Sequence, residues 1–481
     1  MAEKAPRLDS TLASLLDRRR QRGQLRSLTT VPPGTVDFSS NDYLSLSSQP
    51  AVQQAFLARL QDAAVHPPGN GIITNTTNPV TNSTSPNPLL NPPSLLGSGG
   101  SRLLDGNSPR AEALEHFLAS HHRAPAALLF NSAMDANVGL FGCVPQPGDA
   151  IVYDELIHAS VHDGMRASRA GRKVGFAHGV VWERLEVRQG GGRSLEGVLR
   201  DLTRGEEGAG FRLGEKNVFV AVEGVYSMDG DVAPLVDVVE CVEQVLDRGN
   251  GYVIVDEAHS AGIFGECGRG LVCELGLENR VWARVIGFGK AIGCAGGMVL
   301  CSSTTRDYLI NYARTLIYTT AMSFPSLASI ETAYEFLAAG HAQPLLTQLR
   351  SLIQETYRLL VALCVRHQPP PRLLRLGIER LHSPVIPVLT SKPRDLARFC
   401  QQRGFMVRPI VAPTVPNGEE RIRVCLHAKN TVGEVQGLVT AIEEWVLEAM
   451  STKRREETVT SRKTGSTGVD IVTRPSRDSK M

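Results

Sequence analysis

Three residues that could act together chemically follow two apolar runs in the middle of the chain. Asp256 and His259 come at and after the end of the run Tyr252–Val255. Lys290 comes shortly after the run Val281–Ile286. Short runs rich in β-branched residues predict strands that are buried on both faces, as in a parallel sheet. Because ligands of open α/β sheets bind at the carboxyl ends of the strands, we expect a carboxylate, an imidazole and an amine in one crevice.

A lysine in such a crevice can form a Schiff base when its amine is neutral. A free lysine has a pKa of about 10.4, so a nucleophilic lysine has to be buried or placed near other cations. Pyridoxal phosphate (PLP) chemistry also requires an acid beside the pyridine nitrogen, which keeps the ring protonated and able to accept electrons. The sequence therefore predicts that Lys290 binds this cofactor, that Asp256 pairs with its ring nitrogen, and that His259 contacts its phenolic oxygen.

These residues also have two other interpretations, a helicase-like motif and an ordinary surface lysine. The four residues from Asp256 to His259 spell DEAH, which also occurs in helicases, but helicases require a G-x-x-x-x-G-K-[ST] loop. The chain has no such loop, since Gly289-Lys290 is followed by Ala291. Lys290 could also be an ordinary surface lysine. Its glycine-flanked position after a buried strand favours the cofactor instead.

Composition bounds the class of protein. The 481 residues suit two or three domains. An apolar content of 42%, a charged content of 21% and a net charge of +2 give no indication of a nucleic-acid-binding surface. The nine cysteines form neither a C-x-x-C pair nor a zinc spacing, so we expect no metal site and a reducing compartment. No apolar run approaches the ~20 residues that span a bilayer, and the polar N-terminus shows no secretory signal.

Apolar runs alternate with helical segments from residue 126 onward, which predicts an α/β fold with a doubly wound, mainly parallel sheet. We expect an N-terminal helical arm (1–60), a large α/β domain (61–325), a small α+β domain (326–450) and a disordered tail (451–481). Residues 66–96, rich in Asn, Thr and Pro, are expected to form a disordered insertion. The predicted strands are Ala126–Phe130, Ala150–Tyr153, Lys173–Ala177, Val218–Val222, Tyr252–Val255, Val281–Ile286 and Met298–Cys301.

Further polar residues follow other predicted strands at the same edge. Residues 131–137 open a helix, and the first N–H groups of a helix form a natural phosphate site. His158 could stack on a flat heterocycle, although a structural histidine stays an alternative. Ser227 ends another strand. An amphipathic helix predicted over 8–28 ends in an arginine cluster, which could meet an acyl-CoA phosphate or simply form a solvated face.

Together these segments resemble the α-oxoamine synthases, PLP-dependent enzymes of fold type I, the aspartate aminotransferase-like architecture. The resemblance covers residues 8–450 except the insertion. It implies an acyltransferase that condenses an amino acid with an acyl-CoA and releases CoA and carbon dioxide, most closely the member that joins L-alanine to pimeloyl-CoA in biotin synthesis. The motifs that carry it are FSSNDYLSL, GSGGSRLLDGN, IHAS, EGVYSMDGD, VDEAHSAGIFGECGRG, FGKAIG, LIYTTAM and the segment 421–423.

The resemblance also assigns roles to definite residues. As catalytic residues it implies Lys290 and His158. It implies a homodimer, in which two threonines reach the cofactor phosphate of the neighbouring subunit, and an arginine fork that binds the amino-acid carboxylate. The implied cofactor-binding residues are Ser132, Ala133, Met134, His158, Ser227, Asp256, His259, Lys290, Thr319 and Thr320. The implied substrate-binding residues are Arg26, Asn41, Thr414 and Arg423.

Two segments of the chain depart from the usual pattern of this family. The family usually has glycine and an aromatic residue where this chain has Ala133-Met134, and threonine or serine where it has Gly287. Losing one hydroxyl donor to a phosphate costs about 1.5–3 kcal/mol. We therefore expect weaker cofactor binding, unless water replaces the hydroxyl.

Other functions stay open at the level of the sequence. The chain could use another amino acid or acyl-CoA, as a glycine C-acetyltransferase-like or secondary-metabolite enzyme does. It could also be a non-catalytic subunit, although the presence of Lys290, Asp256 and His259 argues against that. The tripeptide Ser479-Lys480-Met481 resembles the S-K-L peroxisomal address, so we expect a peroxisomal or cytoplasmic enzyme.

Overall fold

A computed structural model describes residues 7–65, 95–183, 192–377 and 383–464. All but the last two residues of the predicted insertion 66–96 lie outside this described part. The tripeptide that begins at Ser479 lies outside it as well.

The N-terminal arm consists of helix α1 (Arg7–Gln21), a short strand β1 (Val36–Asp37) and helix α2 (Pro50–Val65). The sequence predicts a helix over 8–28, but α1 ends earlier, just before Gly23, whose φ of 62° is left-handed. The strand β1 comprises only two residues, and a single 3-10 turn follows at Leu46–Ser48. No residue of α1 is buried, and its leucines are 47 to 67% exposed: Leu8, Leu12, Leu15 and Leu16.

A seven-stranded sheet forms the centre of the large domain. Its strands are β2 (Ala126–Phe130), β3 (Ala150–Asp154), β4 (Arg172–Phe176), β5 (Val218–Glu223), β6 (Gly251–Asp256), β7 (Ala283–Gly287) and β8 (Gly297–Cys301). Their order across the sheet is β2-β8-β7-β6-β5-β3-β4. Only β8 runs antiparallel to its neighbours, which confirms the predicted mainly parallel sheet.

Hydrophobic burial on both faces holds this sheet. In β5, Val218 and Val220 pack into one core, whereas Phe219 and Ala221 pack into a second core on the opposite face. Each fully buried side chain of this size contributes about 1.5–3 kcal/mol. The unbroken apolar runs in the sequence reflect this two-sided burial.

Nine helices surround the sheet within the described residues. Several begin with a serine side chain that accepts a backbone hydrogen bond, as Ser108, Ser132, Ser194 and Ser302 do. The helices are α3 (Pro109–His121), α4 (Ala133–Cys143), α5 (Ala159–Ala167), α6 (Leu195–Leu202), α7 (Ala209–Arg212), α8 (Leu235–Val245), α9 (Leu271–Glu274), α10 (Ser303–Tyr312) and α11 (Arg314–Ile317).

The C-terminal part of the chain is a smaller α+β unit. Its elements are α12 (Phe324–Ala338), α13 (Gln343–His367), β9 (Arg375–Leu376), β10 (Val385–Leu389), α14 (Pro393–Gln402), β11 (Phe405–Met406), β12 (Arg408–Ile410), β13 (Arg421–Cys425) and α15 (Val432–Thr464). Four strands form an antiparallel sheet in the order β12-β13-β10-β9. The remaining strand, β11, pairs with β1 and so joins this unit to the N-terminal arm.

The last helix differs from the prediction. The sequence predicts disorder from residue 451, but α15 continues through residues 451–464. This stretch contains neither proline nor glycine before Gly465, so nothing in it breaks a helix that has already begun on a packed surface. Among the described helices, none has the length and apolarity that crossing a bilayer requires.

Candidate active site

The carboxyl ends of β5, β6 and β7 bring together the residues that could do chemistry. Asp256 is the last residue of β6, Glu223 is the last residue of β5, and Lys290 follows β7. Burial lowers the pKa of the Lys290 amine, the charges of Asp256 and Glu223 oppose that shift, and Arg423 adds to it. A lysine in this environment is a suitable amine nucleophile.

Asp256 is held by two hydrogen bonds. Asn137 Nδ2 of α4 donates to Asp256 Oδ2 over 2.7 Å, and the backbone N of Ala258 donates to Oδ1 over 3.0 Å. The other Nδ2 hydrogen bond of Asn137 goes to Ser160 Oγ, 2.9 Å away. The carboxylate is buried at the sheet edge and its direction is fixed, as a partner for a ring nitrogen has to be.

His158 stands at the start of α5, directly after the β3 turn. Its Nδ1 lies 2.8 Å from Ser160 Oγ and accepts from the backbone N of Ser160 over 3.2 Å, which fixes the ring. Burial lowers the pKa of His158, while Asp256 raises it and Lys290 lowers it further. The imidazole is therefore neutral near pH 7, and part of it is exposed, so it can stack on a flat heterocycle.

A second network joins His259 to the small domain. Tyr43 Oη lies 2.8 Å from His259 Nδ1 and donates to Asn41 Oδ1 over 3.1 Å. Arg423 of β13 donates from one nitrogen to Asn41 Oδ1 over 2.9 Å and to Tyr43 Oη over 3.2 Å. Burial, followed by the charge of Lys290, keeps the pKa of His259 well below its usual value, so this ring is neutral.

Arg423 has donors to spare. It is 8% exposed, and its Nε is buried and has no hydrogen-bond partner in the described part of the chain. A guanidinium group in this state can accept a carboxylate in a forked arrangement. This is the arrangement expected of a group that binds the carboxylate of an amino acid.

The start of α4 provides the anion site. Ser132 Oγ accepts from the backbone N of Asp135 over 3.0 Å, and the first N–H groups of the helix have no intrahelical partner. Met134 is 49% exposed there. Asn131 Nδ2 donates to Thr319 Oγ1 over 3.2 Å and to the Thr320 carbonyl over 2.9 Å, which brings both threonines beside this helix end.

Two glycines allow α4 to approach the sheet closely. A Cβ at Gly297 would lie 2.5 Å from the backbone N of Ala133. A Cβ at Gly287 would lie 3.0 Å from Ala258 Cβ and 3.3 Å from Ala133 Cβ. Gly287 stands where this family usually has a threonine or serine. The methyl group of Ala133 takes part of the space that such a side chain would need.

Three of the residues that the resemblance assigns to the site lie outside the hydrogen-bond networks described above. Arg26 and Thr414 are exposed, on segments that are joined where Gln24 Nε2 donates to the Ala412 carbonyl over 3.3 Å. Ser227 is half-buried in the turn after β5. In the described part of the chain, none of these three side chains hydrogen-bonds with Lys290, Asp256 or Arg423.

Sequence reasoning missed four residues that the structure places at the site. Tyr43 and Glu223 lie inside motifs that had been recognised, but their roles depend on contacts with distant segments. Asn137 is one helical turn after Ala133, which is the only signal that it faces the same direction. Ser160 is two residues after His158 and fixes its ring.

The site fits PLP. It offers a fixed carboxylate for a ring nitrogen, a buried amine, a neutral imidazole for the ring face, a helix N-terminus for the phosphate and an arginine for a substrate carboxylate. Three buried polar atoms around it have no partner among the described residues, namely Glu223 Oε1, Asn137 Oδ1 and Arg423 Nε. The described part of the chain contains no group of three or more His, Cys, Asp or Glu side chains that could hold a metal ion.

Comparisons with known proteins agree with this geometry. The family model of aminotransferase class I and II matches residues 33–442. The 8-amino-7-oxononanoate synthase of Emericella nidulans is 48% identical over 464 residues, which are 93% of this chain and 98% of that protein. The aminoacyl transferase sphA of Aspergillus fumigatus is 35% identical over 91% of this chain and 87% of that protein.

Solved structures show the same fold. The serine palmitoyltransferase of Sphingomonas wittichii superposes with a TM-score of 0.69 at 23% identity, covering 92% of this chain and 98% of that one. The 8-amino-7-oxononanoate synthase of Francisella tularensis superposes with a TM-score of 0.60 at 23% identity, covering 86% and 99% of the two chains.

Proposed function

The chain belongs to the aminotransferase class I and II family and, within it, to the PLP-dependent α-oxoamine synthases, and from this premise we propose that it condenses L-alanine with pimeloyl-CoA to 8-amino-7-oxononanoate. The proposed choice of substrates rests on the 48% identity to a relative named 8-amino-7-oxononanoate synthase, which extends over almost the whole of both chains. The chemistry rests on Lys290 and Asp256 at the carboxyl edge of the large sheet and on Arg423 of the small domain, whose charge acts on Lys290.

The residues divide the work by their environments. PLP, when bound, supplies a protonated ring that stabilises negative charge on the carbon next to the substrate amino group. The amine of Lys290 would hold the cofactor and, when freed, would take the proton from that carbon. Asp256 would hold the ring nitrogen, and its two hydrogen bonds would keep the carboxyl group in place. His158, neutral and held by Ser160, would cover the ring.

Substrate orientation falls to the small domain. Arg423 binds the carboxylate of alanine with the donors that its contacts with Asn41 and Tyr43 leave unused. Holding that carboxylate would orient the α-carbon, and so would decide which of its bonds faces the amine of Lys290. The overall reaction would join that carbon to the acyl carbon of pimeloyl-CoA, with release of CoA and carbon dioxide and return of the proton from Lys290 to the carbon.

We propose a homodimer as the active form. Thr319 and Thr320 lie beside the start of α4, and Thr320 is exposed. The exposed leucines of α1 form a second surface that one chain leaves uncovered. The uncovered leucines support contact with a second copy, and in such a dimer, as the family resemblance implies, the threonines of one copy would reach the phosphate bound by the other.

Release of CoA tests the proposed reaction. Purified protein is supplied with PLP, pimeloyl-CoA and L-alanine, and the freed thiol is followed with a chromogenic reagent. We expect CoA release that depends on both substrates and is lost in Lys290→Ala, but retained in Lys173→Ala, a matched change on exposed β4. Product of another mass, or turnover with glycine or serine exceeding that with alanine, would contradict the proposed substrates.

A second candidate comes from the resemblance to sphA, named an aminoacyl transferase. In that case the acyl group would be a different one, and the chain would serve another pathway. Turnover of a long-chain acyl-CoA that exceeds turnover of pimeloyl-CoA would favour this candidate. A protein that binds PLP but releases no CoA from any pair of substrates would instead point to a partner subunit.

A further inference from the structure

Glu223 is a buried carboxyl group at the site that the mechanism above does not use. It pairs in register with Asp256 across β5 and β6. Residues in register on neighbouring parallel strands point to the same face of the sheet, and side chains alternate along each strand. Ala221 and Ile254, two residues earlier, both pack into the core that α4 and α5 cover. Glu223 and Asp256 therefore lie side by side on that face.

Within the described part of the chain, no N–H or O–H group donates a hydrogen bond to Oε1 of Glu223. The residue is 3% exposed, and its Oε1 is buried with no partner among the described residues. Its neighbour Asp256 is an acceptor that already receives two hydrogen bonds. The Oδ1 of Asn137, another acceptor, is also buried and without a partner in the described chain. An unpaired buried acceptor costs about 1–3 kcal/mol, but a carboxyl oxygen that carries a proton becomes the missing donor.

Burial and the neighbouring carboxyl groups shift the pKa of Glu223 in the same direction. Burial raises its pKa well above the usual value, Asp256 raises it further, and Lys290 opposes this. Asp154 of β3 and Asp231 before α8 also raise the pKa of Glu223. Tyr226, in the turn after β5, has its hydroxyl 3.5 Å from the backbone N of Glu223 and so does not contact its carboxyl group through this hydrogen bond. Two buried carboxyl groups beside a single lysine cannot both ionise without a large cost.

We propose that Glu223 is a positioning residue that stays protonated and donates a hydrogen bond to the Asp256–Asn137 pair, so that the two carboxyl groups share one negative charge. Asp256, which already accepts two hydrogen bonds, keeps that charge and directs it to the ring nitrogen of PLP. The amine of Lys290 then faces one anion instead of two, which preserves its neutral, nucleophilic form. The inference rests on the PLP site of the proposed function and not on the identity of the substrates.

Two substitutions separate charge from hydrogen bonding. Glu223→Gln is neutral and keeps a donor, whereas Glu223→Met is neutral and of similar size but has no donor. The control is Glu257→Gln, a buried glutamate one residue after Asp256 that accepts from Ser260 Oγ and Val272 N, both over 3.0 Å. For each apoprotein, two quantities are measured: the Kd for PLP, and the pH midpoint of the rate at which Lys290 captures PLP. Thermal unfolding verifies that each variant is folded.

The proposal predicts a distinct result for each variant. Glu223→Gln keeps the pH midpoint and the Kd of the wild type, because a neutral donor replaces a neutral donor. Glu223→Met keeps the midpoint but binds PLP about tenfold to hundredfold more weakly, since a hydrogen bond to a charged group is lost. Glu257→Gln lowers the melting temperature and changes neither PLP quantity.

Two results would overturn the proposal. If both Glu223 variants lower the pH midpoint by about one unit or more, Glu223 is an ionised partner of Lys290 and not a neutral donor. If both lower the melting temperature and leave the Kd unchanged, the residue has only a structural role. These readouts use PLP alone, so they stay interpretable even if pimeloyl-CoA and alanine turn out to be the wrong substrates.

Discussion

Asn137 Nδ2 donates to Asp256 Oδ2 over 2.7 Å, and this contact joins helix α4 to the end of β6. The same helix begins at the proposed phosphate site, and the same strand end carries the carboxyl group that we propose faces the ring nitrogen. One side chain therefore connects the two ends of the proposed cofactor site. The contact is buried, so water cannot replace the donor at no cost.

Removing this donor should weaken cofactor binding more than folding. In Asn137→Ala, Asp256 loses a hydrogen bond to a charged group, worth about 1.5–3 kcal/mol, so we expect the Kd for PLP to rise roughly tenfold to hundredfold. Quenching of protein fluorescence on PLP addition measures this. The matched control is Asn250→Ala, because buried Asn250 donates to the carbonyls of Phe211 and Lys216 at the opposite end of the sheet. A similar rise in Kd for both variants would contradict the assignment.

The hydroxyl of Tyr43 should act on substrate binding. Tyr43→Phe removes the bridge between His259 Nδ1 and Arg423, so the arginine is held by Asn41 alone. We expect the KM for the amino acid to rise about threefold to tenfold, in line with the loss of roughly 0.5–1.5 kcal/mol for one hydrogen bond, and the Kd for PLP to change little. Initial rates at varied alanine concentration measure this.

Tyr334→Phe is the control for that variant. Tyr334 is fully buried and its Oη contacts His122 Nε2 over 3.0 Å, outside the catalytic network. It should lose stability and keep its KM. If Tyr43→Phe also changes only stability, Tyr43 does not position Arg423.

The strands of the large sheet and two residues of the candidate site could be predicted from the sequence. The central strands of the large sheet were predictable because they are buried on both faces, so Val218–Val222 of β5 and Tyr252–Val255 of β6 appear as unbroken apolar runs. Lys290 and Asp256 were predictable because strand ends of a parallel sheet meet at one edge. The fold class followed from the same alternation of strands and helices.

The contacts between segments could not be predicted. Tyr43 meets Arg423, which is 380 positions away, and no local pattern indicates such a pair. Glu223 resembles any other acidic residue at a strand end until the register with Asp256 is known. The polarity of residues 451–464 predicts disorder, but a polar segment without glycine or proline can extend an existing helix, as α15 does.

The close packing at Ala133 and Gly287 predicts that substitutions there are coupled. Gly287→Thr alone places a Cβ 3.3 Å from Ala133 Cβ and 3.0 Å from Ala258 Cβ, so we expect a loss of stability of about 1–3 kcal/mol. Adding Ala133→Gly removes the first contact and lets the threonine hydroxyl reach the phosphate. The double variant should therefore recover stability and bind PLP more tightly than either single variant. Urea unfolding and PLP titration of all four proteins give the coupling free energy, and simple additivity would contradict the prediction.

Stability should have a maximum near neutral pH. Burial lowers the pKa of His121 to about 4 and keeps that of His122 well below its usual value, so both are neutral in the folded protein. The unfolded chain binds protons at these positions below about pH 6.5, so stability falls as the pH falls below that value.

The fall in stability at alkaline pH comes from His178. Burial alone would lower its pKa, but hydrogen bonds to Asp154 and Asp231 outweigh this and raise it to about 10. Its contribution is complete below the unfolded pKa of about 6.5 and is lost as the pH rises toward the folded value. His178→Gln should therefore cost about 1.5–3 kcal/mol near pH 7 and flatten the alkaline limb. Melting temperatures over this pH range test it, with the exposed His116→Gln as a control that should keep the wild-type curve.

Mixing two inactive variants tests whether the active site is shared between subunits. Lys290→Ala removes the amine, and the double variant Thr319→Ala/Thr320→Ala removes the hydroxyls that we propose reach the phosphate bound by the partner subunit. In a mixed dimer, the Lys290-containing site receives both threonines from the other chain. Random exchange should then restore about a quarter of wild-type activity, because half of the dimers are mixed and each has one complete site. If the threonines served the phosphate of their own chain, every site would lack one component, and the mixture would stay as inactive as its parts.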